Sequence, residues 1–241
     1  MKKTRLLAFL LTACLATTCF LSGTVAKYST TGAVTDAARV AKWGVTIAAD
    51  TENNTLFSTS HTEEGADTAT VSSNSDKVVA PGTEDSVTMK LSGSPEVAVK
   101  VTLAVSGNDI KLPAKNGYKD YTSTNSTETF DLAADYYPVV FTLTKNDNGA
   151  SDEITKGTLA QIIAYLADTD GNSENGNTPW VDNYDVNKTL GDVYYTLSWT
   201  WDFENNNDAA DTYLANVTTT ETGVVTSTGP VSLTVTVTQV D

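Results

Sequence analysis

The chain has 241 residues, of which 40% are hydrophobic, and it carries 30 acidic against 15 basic residues. This length suffices for one sizeable hydrophobic core but is short for two large domains. The net charge of −15 argues against a surface that attracts nucleic acid or anionic membranes. We therefore expect neither as a partner.

The first 26 residues have the pattern of a secretory signal peptide. Lys2, Lys3 and Arg5 precede a long apolar run, and small residues follow it. We predict cleavage between Ala26 and Lys27. Removal of this segment takes away both cysteines, so the mature chain has no disulfide and no cysteine ligand for a metal. The loss of three basic residues takes the net charge from −15 to −18.

Two alternatives stay open for this segment. The stretch from Leu6 to Ala26 is long enough to span a bilayer if it is not cleaved, and it would then anchor the chain with its bulk outside the cell. The residues up to Cys14 also fit a lipoprotein signal, although the apolar sequence continues to Leu21. We prefer the cleaved signal peptide.

Residues 27–36 are small, polar and weakly patterned, and we expect them to be mobile when isolated. Residues 37–241 form one predicted domain. Its main signal is a two-residue alternation of apolar and polar side chains, which is typical of strands with one buried face. The alternation occurs in stretches near residues 41–47, 87–91, 97–105, 139–143, 193–203 and 231–237.

These six stretches predict an all-β fold, in which two antiparallel sheets pack face to face as a sandwich. The residues expected in its core include Trp43, Val99, Val101, Leu197, Trp199, Trp201 and Phe203. One helix is predicted from Thr158, because Gln161 stands at the capping-box position and apolar residues follow at helical spacing. A second helical turn is predicted with Asp208 as its N-cap and Asp211 in its first turn.

The stretches between the predicted strands are polar and lack periodicity. Residues 50–76 are expected to form a long surface excursion, with short pairing around Leu56 and Val71. Residues 108–135 are expected to be rich in loops, with a turn at Asn116 and Gly117. Residues 168–178 are expected to form an exposed polar loop.

Several short motifs resemble secreted proteins of the TasA and camelysin type from Gram-positive bacteria, which carry a signal peptide of the SipW-dependent type. The motifs are W-x-W-x-F at residues 199–203, D-x-x-D-T-x-L at 208–214, A-P-G-T at 80–83, S-G-S-P-E-V at 92–97 and the segment after the signal peptide. They are spread over most of the mature chain. The resemblance implies a jelly-roll-like sandwich.

The resemblance also implies a structural role outside the cell, as a subunit or accessory of surface fibres or biofilm matrix. Its mechanism would be strand donation, in which residues 27–34 of one subunit complete a sheet of a neighbour by main-chain hydrogen bonds. In that segment Tyr28, Ala33 and Val34 are the side chains suited to an apolar groove. The expected partners are further copies of this chain or related fibre subunits.

No catalytic residue and no cofactor is predicted. His61 is the only histidine, so an H-E-x-x-H zinc site or a Ser-His-Asp triad with a well-placed base is hard to build. Camelysin-like relatives carry a protease label, but the usual zinc-protease ligands are absent from this sequence. We therefore expect that the protein is not an enzyme.

Calcium is the strongest candidate for a small ligand, but no metal site is predicted. Asp168, Asp170 and Asn172 match the first half of a calcium loop, whereas Ser173 and Pro179 occupy positions that require glycine and glutamate.

The acidic residues at 202, 204, 208 and 211 are a second group that could converge, although turn and capping roles account for them.

An alternative function is binding of cell-surface polysaccharide. Trp199 and Trp201 lie on one face of a predicted strand and would offer a flat platform for sugar rings. They share that face with Leu197 and Phe203, however, and this shared apolar parity favours a place in the core.

Overall fold

Antiparallel strands dominate the fold, which is known from a computed structural model. The structure describes residues 39–50, 55–62, 68–71, 77–125, 127–167, 179–186, 188–203, 206–217 and 221–240. The chain divides into two compact units, residues 1–40 and Ala41–Asp241. All the strands and helices described below belong to the second unit.

Twelve strands and two helices are defined among the described residues. The strands are β1 (Val45–Ala49), β2 (Ser60–Thr62), β3 (Thr68–Val71), β4 (Thr83–Gly93), β5 (Val99–Ser106), β6 (Lys115–Lys119), β7 (Thr129–Leu132), β8 (Val140–Asp147), β9 (Ala150–Gly157), β10 (Val181–Tyr184), β11 (Leu190–Trp201) and β12 (Ser232–Gln239). The helices are α1 (Leu159–Ala167) and α2 (Asp208–Asn216).

The larger sheet has five strands in the order β1-β4-β11-β8-β9, and all its neighbouring strands are antiparallel. Its centre is β11, where every second residue from Val193 to Trp201 is buried. This follows from the apolar alternation of the sequence, because successive side chains of a strand point to opposite faces.

The smaller sheet has three strands in the order β10-β5-β12. In β5 the residues Val99, Val101, Leu103 and Val105 are buried, whereas the residues between them are more exposed. The inward faces of the two sheets contribute to one hydrophobic core. The predicted all-β sandwich with short helices is therefore confirmed.

The predicted core is correct for five of its seven residues and wrong for Trp43 and Phe203. Trp43 is 42% exposed and Phe203 is 65% exposed. Trp43 lies before β1, which begins only after Gly44 takes a left-handed conformation with φ of +59°. Phe203 follows the end of β11 at Trp201, so the strand alternation no longer sets the direction of its side chain.

The remaining five predicted core residues are buried. They are Val99, Val101, Leu197, Trp199 and Trp201.

Helix α1 begins as predicted. Gln161 Oε1 accepts a hydrogen bond from the Thr158 backbone N–H at 2.8 Å, and the Gln161 N–H donates to Thr158 Oγ1 at 3.2 Å. The carboxylate of Asp109 accepts two further bonds, from the N–H groups of Leu159 at 2.6 Å and Ala160 at 3.0 Å. Thus all four N–H groups from Thr158 to Gln161, which the first turn leaves unpaired, are satisfied by side chains.

The start of α2 differs from the prediction. Asn207, not Asp208, occupies the N-cap position, and Asp208 is the first residue of the helix. The two acidic residues of its first turn, Asp208 and Asp211, still lie at the positive end of the helix dipole.

Two stretches predicted as loops contain paired strands. In residues 50–76, β2 pairs with β3 at Val71, whereas Leu56 is buried in the core instead of being paired. In residues 108–135, β6 and β7 form a hairpin-like pair with an irregular register, and Gly117 lies inside β6.

Several sequence predictions fall outside the described residues. They concern the signal peptide with Ala26 and Lys27, the segment with Tyr28, Ala33 and Val34, and the polar loop at residues 168–178. Among the residues that are described, no helix has the length and apolar character needed to cross a membrane.

Candidate assembly surface

Strand β12 is an edge strand of the smaller sheet. It pairs along its length with β5, and within the described part of the chain no strand pairs with its other side. Edge strands present unpaired backbone groups that can pair with another chain, and proteins commonly protect them with charged side chains or by keeping them short.

The other edge strands of the five-stranded and three-stranded sheets are either charged or shorter than β12. Strand β9 is equally long, with eight residues, but carries Asp152, Glu153 and Lys156. Strands β1 and β10 have only five and four residues. In contrast, β12 has the sequence SLTVTVTQ, with neither a charge nor a proline. It is thus the longest edge strand without a charge or a proline among the described strands.

A partly apolar groove opens beside the start of β12, where Ser232 and Leu233 line it. Its volume is about 710 Å³, and it lies between β12, β4 and the segments at 55–57, 77–79 and 226–231. Apolar side chains that line it include Leu56, Phe57, Val79, Val87, Ile110 and Leu233. The groove therefore lies beside an edge with which no described strand pairs, and its lining is partly apolar.

One wall of the groove is fixed by β11. The Trp199 indole N–H donates a buried hydrogen bond to the Leu56 carbonyl oxygen at 2.6 Å, and the rings of Phe57 and Trp199 lie 5.5 Å apart. Ser58 Oγ donates to Asp85 Oδ2 of β4 at 2.7 Å. These contacts hold an otherwise irregular segment against the larger sheet.

The opposite wall is held by backbone hydrogen bonds. The Asn108 N–H donates to the Thr228 carbonyl oxygen at 2.9 Å, and Lys111 forms an isolated β-bridge with Val225. Both walls are thus part of the folded domain, so a bound segment would meet a surface that is already formed.

A second group of polar residues lies between the two sheets, at the side where β10 faces β8 and β11. We name it the inter-sheet cluster, and it consists of Lys145, Asp147, Asp182, Tyr184 and Tyr195. Asp182 Oδ2 lies 2.5 Å from the Lys145 ammonium and accepts hydrogen bonds from the hydroxyls of Tyr184 at 2.8 Å and Tyr195 at 3.0 Å.

Burial shifts the pKa values in the inter-sheet cluster. It raises the pKa of Tyr195 far above its ordinary value, and burial is also the main cause of the raised pKa of Tyr184. For Lys145, burial is the largest single influence and lowers the pKa, but hydrogen bonds to Asp182 and Tyr184 help to outweigh it, so that the pKa is raised. At neutral pH both tyrosines therefore remain hydrogen-bond donors.

The structure does not support a carbohydrate platform at the tryptophan pair. Trp199 and Trp201 are only 1% and 5% exposed. Their rings lie in the core and offer no flat surface to a sugar.

The described acidic residues around α2 do not form a common cluster. Asp211 is buried and accepts a hydrogen bond from the Tyr136 hydroxyl at 2.6 Å, while Asp202 accepts one from Thr200 at 3.4 Å. Glu204 and the partial calcium loop at Asp168, Asp170 and Asn172 lie outside the described residues. Within the described ranges, no group of three or more His, Cys, Asp or Glu residues is placed to hold a metal ion.

Sequence reasoning missed both the groove and the inter-sheet cluster. The cluster had a detectable signal, because Lys145 and Asp147 share the parity of the buried residues Phe141 and Leu143 on β8. Charged residues at inward positions of a strand require polar partners. The groove had no such signal, since it depends on which strands become neighbours.

Comparison with known proteins adds no family assignment. The sequence matches no protein-family model and no curated protein. The fold and the surfaces described above define an all-β sandwich with an unpaired, uncharged strand edge, and the TasA-like and camelysin-like resemblance stays a prediction.

Proposed function

We propose that this protein is a secreted structural protein, a subunit or accessory of extracellular fibres or biofilm matrix, and that it assembles by strand donation. Residues 27–34 of one copy add to the free edge of β12 in the next copy. The observation that carries this proposal is the uncharged β12 edge beside a partly apolar groove of about 710 Å³.

The lengths of the donor and acceptor segments agree. Strand β12 has eight residues, and residues 27–34 are also eight, which corresponds to about 26 Å of extended chain. Main-chain hydrogen bonds along such a strand supply affinity, and alternate side chains entering the groove supply specificity.

The two-residue alternation of side chains in an extended strand also predicts which side of residues 27–34 faces the groove. In an extended segment Tyr28 and Val34 point to the same side, together with the small residue Gly32. This side would enter the groove, whereas Thr31 and Ala33 would face away from it. The donor segment offers few apolar contacts, one aromatic ring and one valine, so the backbone hydrogen bonds supply most of the affinity.

Neither alternative function gains support from a specific observation. The burial of Trp199 and Trp201 removes the basis for a polysaccharide platform. A protease function has no described set of metal ligands to rest on. The strongly acidic composition fits an extracellular protein that must stay soluble before assembly.

The proposal is tested with two variants of the full chain, Val34→Asp and Thr31→Asp. Both add one negative charge to the donor segment, but only the first places it on the side that enters the groove. We expect Val34→Asp to abolish assembly and Thr31→Asp to preserve it, as followed by light scattering and negative-stain microscopy of the secreted protein.

Two controls make the result interpretable. Circular dichroism establishes that both variants keep the fold, and N-terminal sequencing establishes that signal cleavage is unchanged. Fibres of normal length from Val34→Asp, or equal losses in both variants, would refute assembly through this face of the donor segment.

A further inference from the structure

Lys145 and Asp182 form a close pair between the two sheets. Lys145 belongs to β8 of the larger sheet and Asp182 to β10 of the smaller one, and the distance from Nζ to Oδ2 is 2.5 Å. Their side chains are 19% and 18% exposed. Even a partly buried ion pair of this kind is costly to desolvate, so its presence calls for an explanation beyond simple attraction.

The surroundings of this pair differ from those of a surface ion pair. Lys90 and Asp192 also lie close together, at 2.9 Å, but their side chains are 31% and 58% exposed. In the inter-sheet cluster, by contrast, two tyrosine hydroxyls donate to the same carboxylate oxygen that faces the lysine. Trp180 packs edge-on against the ring of Tyr195, with ring centroids 6.1 Å apart.

We propose that Lys145 and Asp182 condense to form an intramolecular amide bond that links the two sheets covalently. The inference rests on the geometry of the inter-sheet cluster and is independent of the proposed assembly at β12. The site is thus a self-modification site whose substrate is the protein's own lysine and aspartate.

The reaction needs no co-reactant, because an ammonium group and a carboxylate yield only an amide and one water. The Lys145 ammonium passes one proton to the carboxyl group of Asp182 that it contacts, which leaves a neutral amine beside a carboxylic acid. The amine lone pair attacks Cγ of Asp182, forming the C–N bond. Negative charge that develops on Oδ2 is stabilised by the hydroxyls of Tyr184 and Tyr195.

The Cγ–Oδ1 bond then breaks. Two of the three ammonium hydrogens leave with Oδ1 as water, and the third remains on the amide nitrogen. The ion pair becomes a neutral amide, which removes the cost of two partly buried charges. The folded protein holds the reacting groups together, which favours condensation over the separated ions.

The bond would close a ring through residues 145–182, which contains β9 and α1. It would join β8 to β10 and so prevent the two sheets from separating at this side.

The test is the mass of the purified full chain, with its N-terminus determined by sequencing. We expect an intact mass lower than the sequence mass by one water, and a tryptic fragment in which the peptides containing Lys145 and Asp182 are joined. The peptides containing Lys90 and Asp192 serve as an internal control and should be recovered separately.

The variant Lys145→Arg keeps the positive charge but lacks the reactive amine, and we expect it to show its full sequence mass. An unmodified wild-type mass together with separate Lys145 and Asp182 peptides would overturn the proposal. Loss of one water from the Lys145→Arg variant would also overturn it, because the dehydration would then belong to another site.

Discussion

Trp199 connects the central strand to the wall of the groove through one hydrogen bond. Its indole N–H pairs with the Leu56 carbonyl oxygen in a buried position. The change Trp199→Phe would leave that carbonyl without its partner, and an unsatisfied buried acceptor costs about 2 kcal/mol. We therefore expect the free energy of unfolding, measured by urea denaturation, to fall by this amount. The smaller phenylalanine ring lowers it further.

Trp201 provides the matched control on the same strand. Its ring is also buried, but its indole nitrogen has no hydrogen-bond partner among the described residues. The change Trp201→Phe removes similar volume together with an unpaired donor, so we expect a smaller loss of stability than for Trp199→Phe. Equal losses in the two variants would contradict the role assigned to the Leu56 hydrogen bond.

The buried tyrosines predict a loss of stability at alkaline pH. Burial raises the pKa of Tyr195, whereas in the unfolded chain a tyrosine titrates near pH 10. Below about pH 10 the Tyr195 hydroxyl is protonated in both the folded and the unfolded state, so its contribution to the free energy of unfolding is fully present. Above about pH 10 the tyrosine loses its proton in the unfolded chain but keeps it in the folded protein. The free energy of unfolding therefore falls by about 1.4 kcal/mol per pH unit for each buried tyrosine, until the tyrosine also titrates in the folded protein.

The variant Tyr195→Phe tests this assignment. Urea denaturation at several pH values should give a shallower alkaline decline for the variant than for the natural sequence. The same decline in both proteins would show that other groups cause it.

At the residue scale, alternation in the sequence predicted which side chains of a strand face the core, but not where a strand begins or ends. Trp199 and Trp201 lie inside β11 and are buried as predicted. Phe203 has the same parity as the buried residues of β11, yet it lies just past the end of that strand and is exposed. Trp43 shares its parity with Val45 and Ile47 of the edge strand β1, and neither of these is buried. Strand ends depend on tertiary pairing, which a single sequence does not reveal.

At the scale of elements, helix α1 depends on an acceptor that is distant in sequence. Asp109 receives two hydrogen bonds from its first turn. We expect Asp109→Ala to lower the free energy of unfolding by about 1 kcal/mol, because the helix loses a capping carboxylate at the positive end of its dipole. Urea denaturation followed by circular dichroism measures this change.

Asp152→Ala is a suitable control for the loss of one negative charge. Asp152 is exposed on β9, and we expect its removal to change stability little. If Asp109→Ala were as stable as this control, the cap would not contribute to the fold.

Strands and helices with a regular apolar pattern could be predicted from the sequence, whereas strands that bury few residues could not. Strands β5, β11 and β12 and helix α1 each bury one regular face, which leaves a clear pattern in the sequence. In β9 the first four residues are exposed, and β6 has one buried residue in five. Such strands are defined by their partners and not by their own hydrophobicity.

At the scale of the whole molecule, the sandwich class followed from the sequence, but the assembly surface did not. The alternation shows that several strands bury one face, which is sufficient to favour two packed sheets. It does not show that β12 ends up at an edge, or that β4 and the segment around Leu56 lie beside it. The same limit applies to Lys145 and Asp182, which are brought together only by the packing of two different sheets.

The central claim is that β12 receives a strand from another copy. The measurement that tests it most directly is amide hydrogen exchange of β12 in the assembled and the monomeric protein. We predict that the β12 amides that point away from β5 become strongly protected on assembly, since a donated strand would pair with them, while the amides of the charged edge strand β9 exchange as before. Fibres in which the protection of β12 is unchanged would contradict the account.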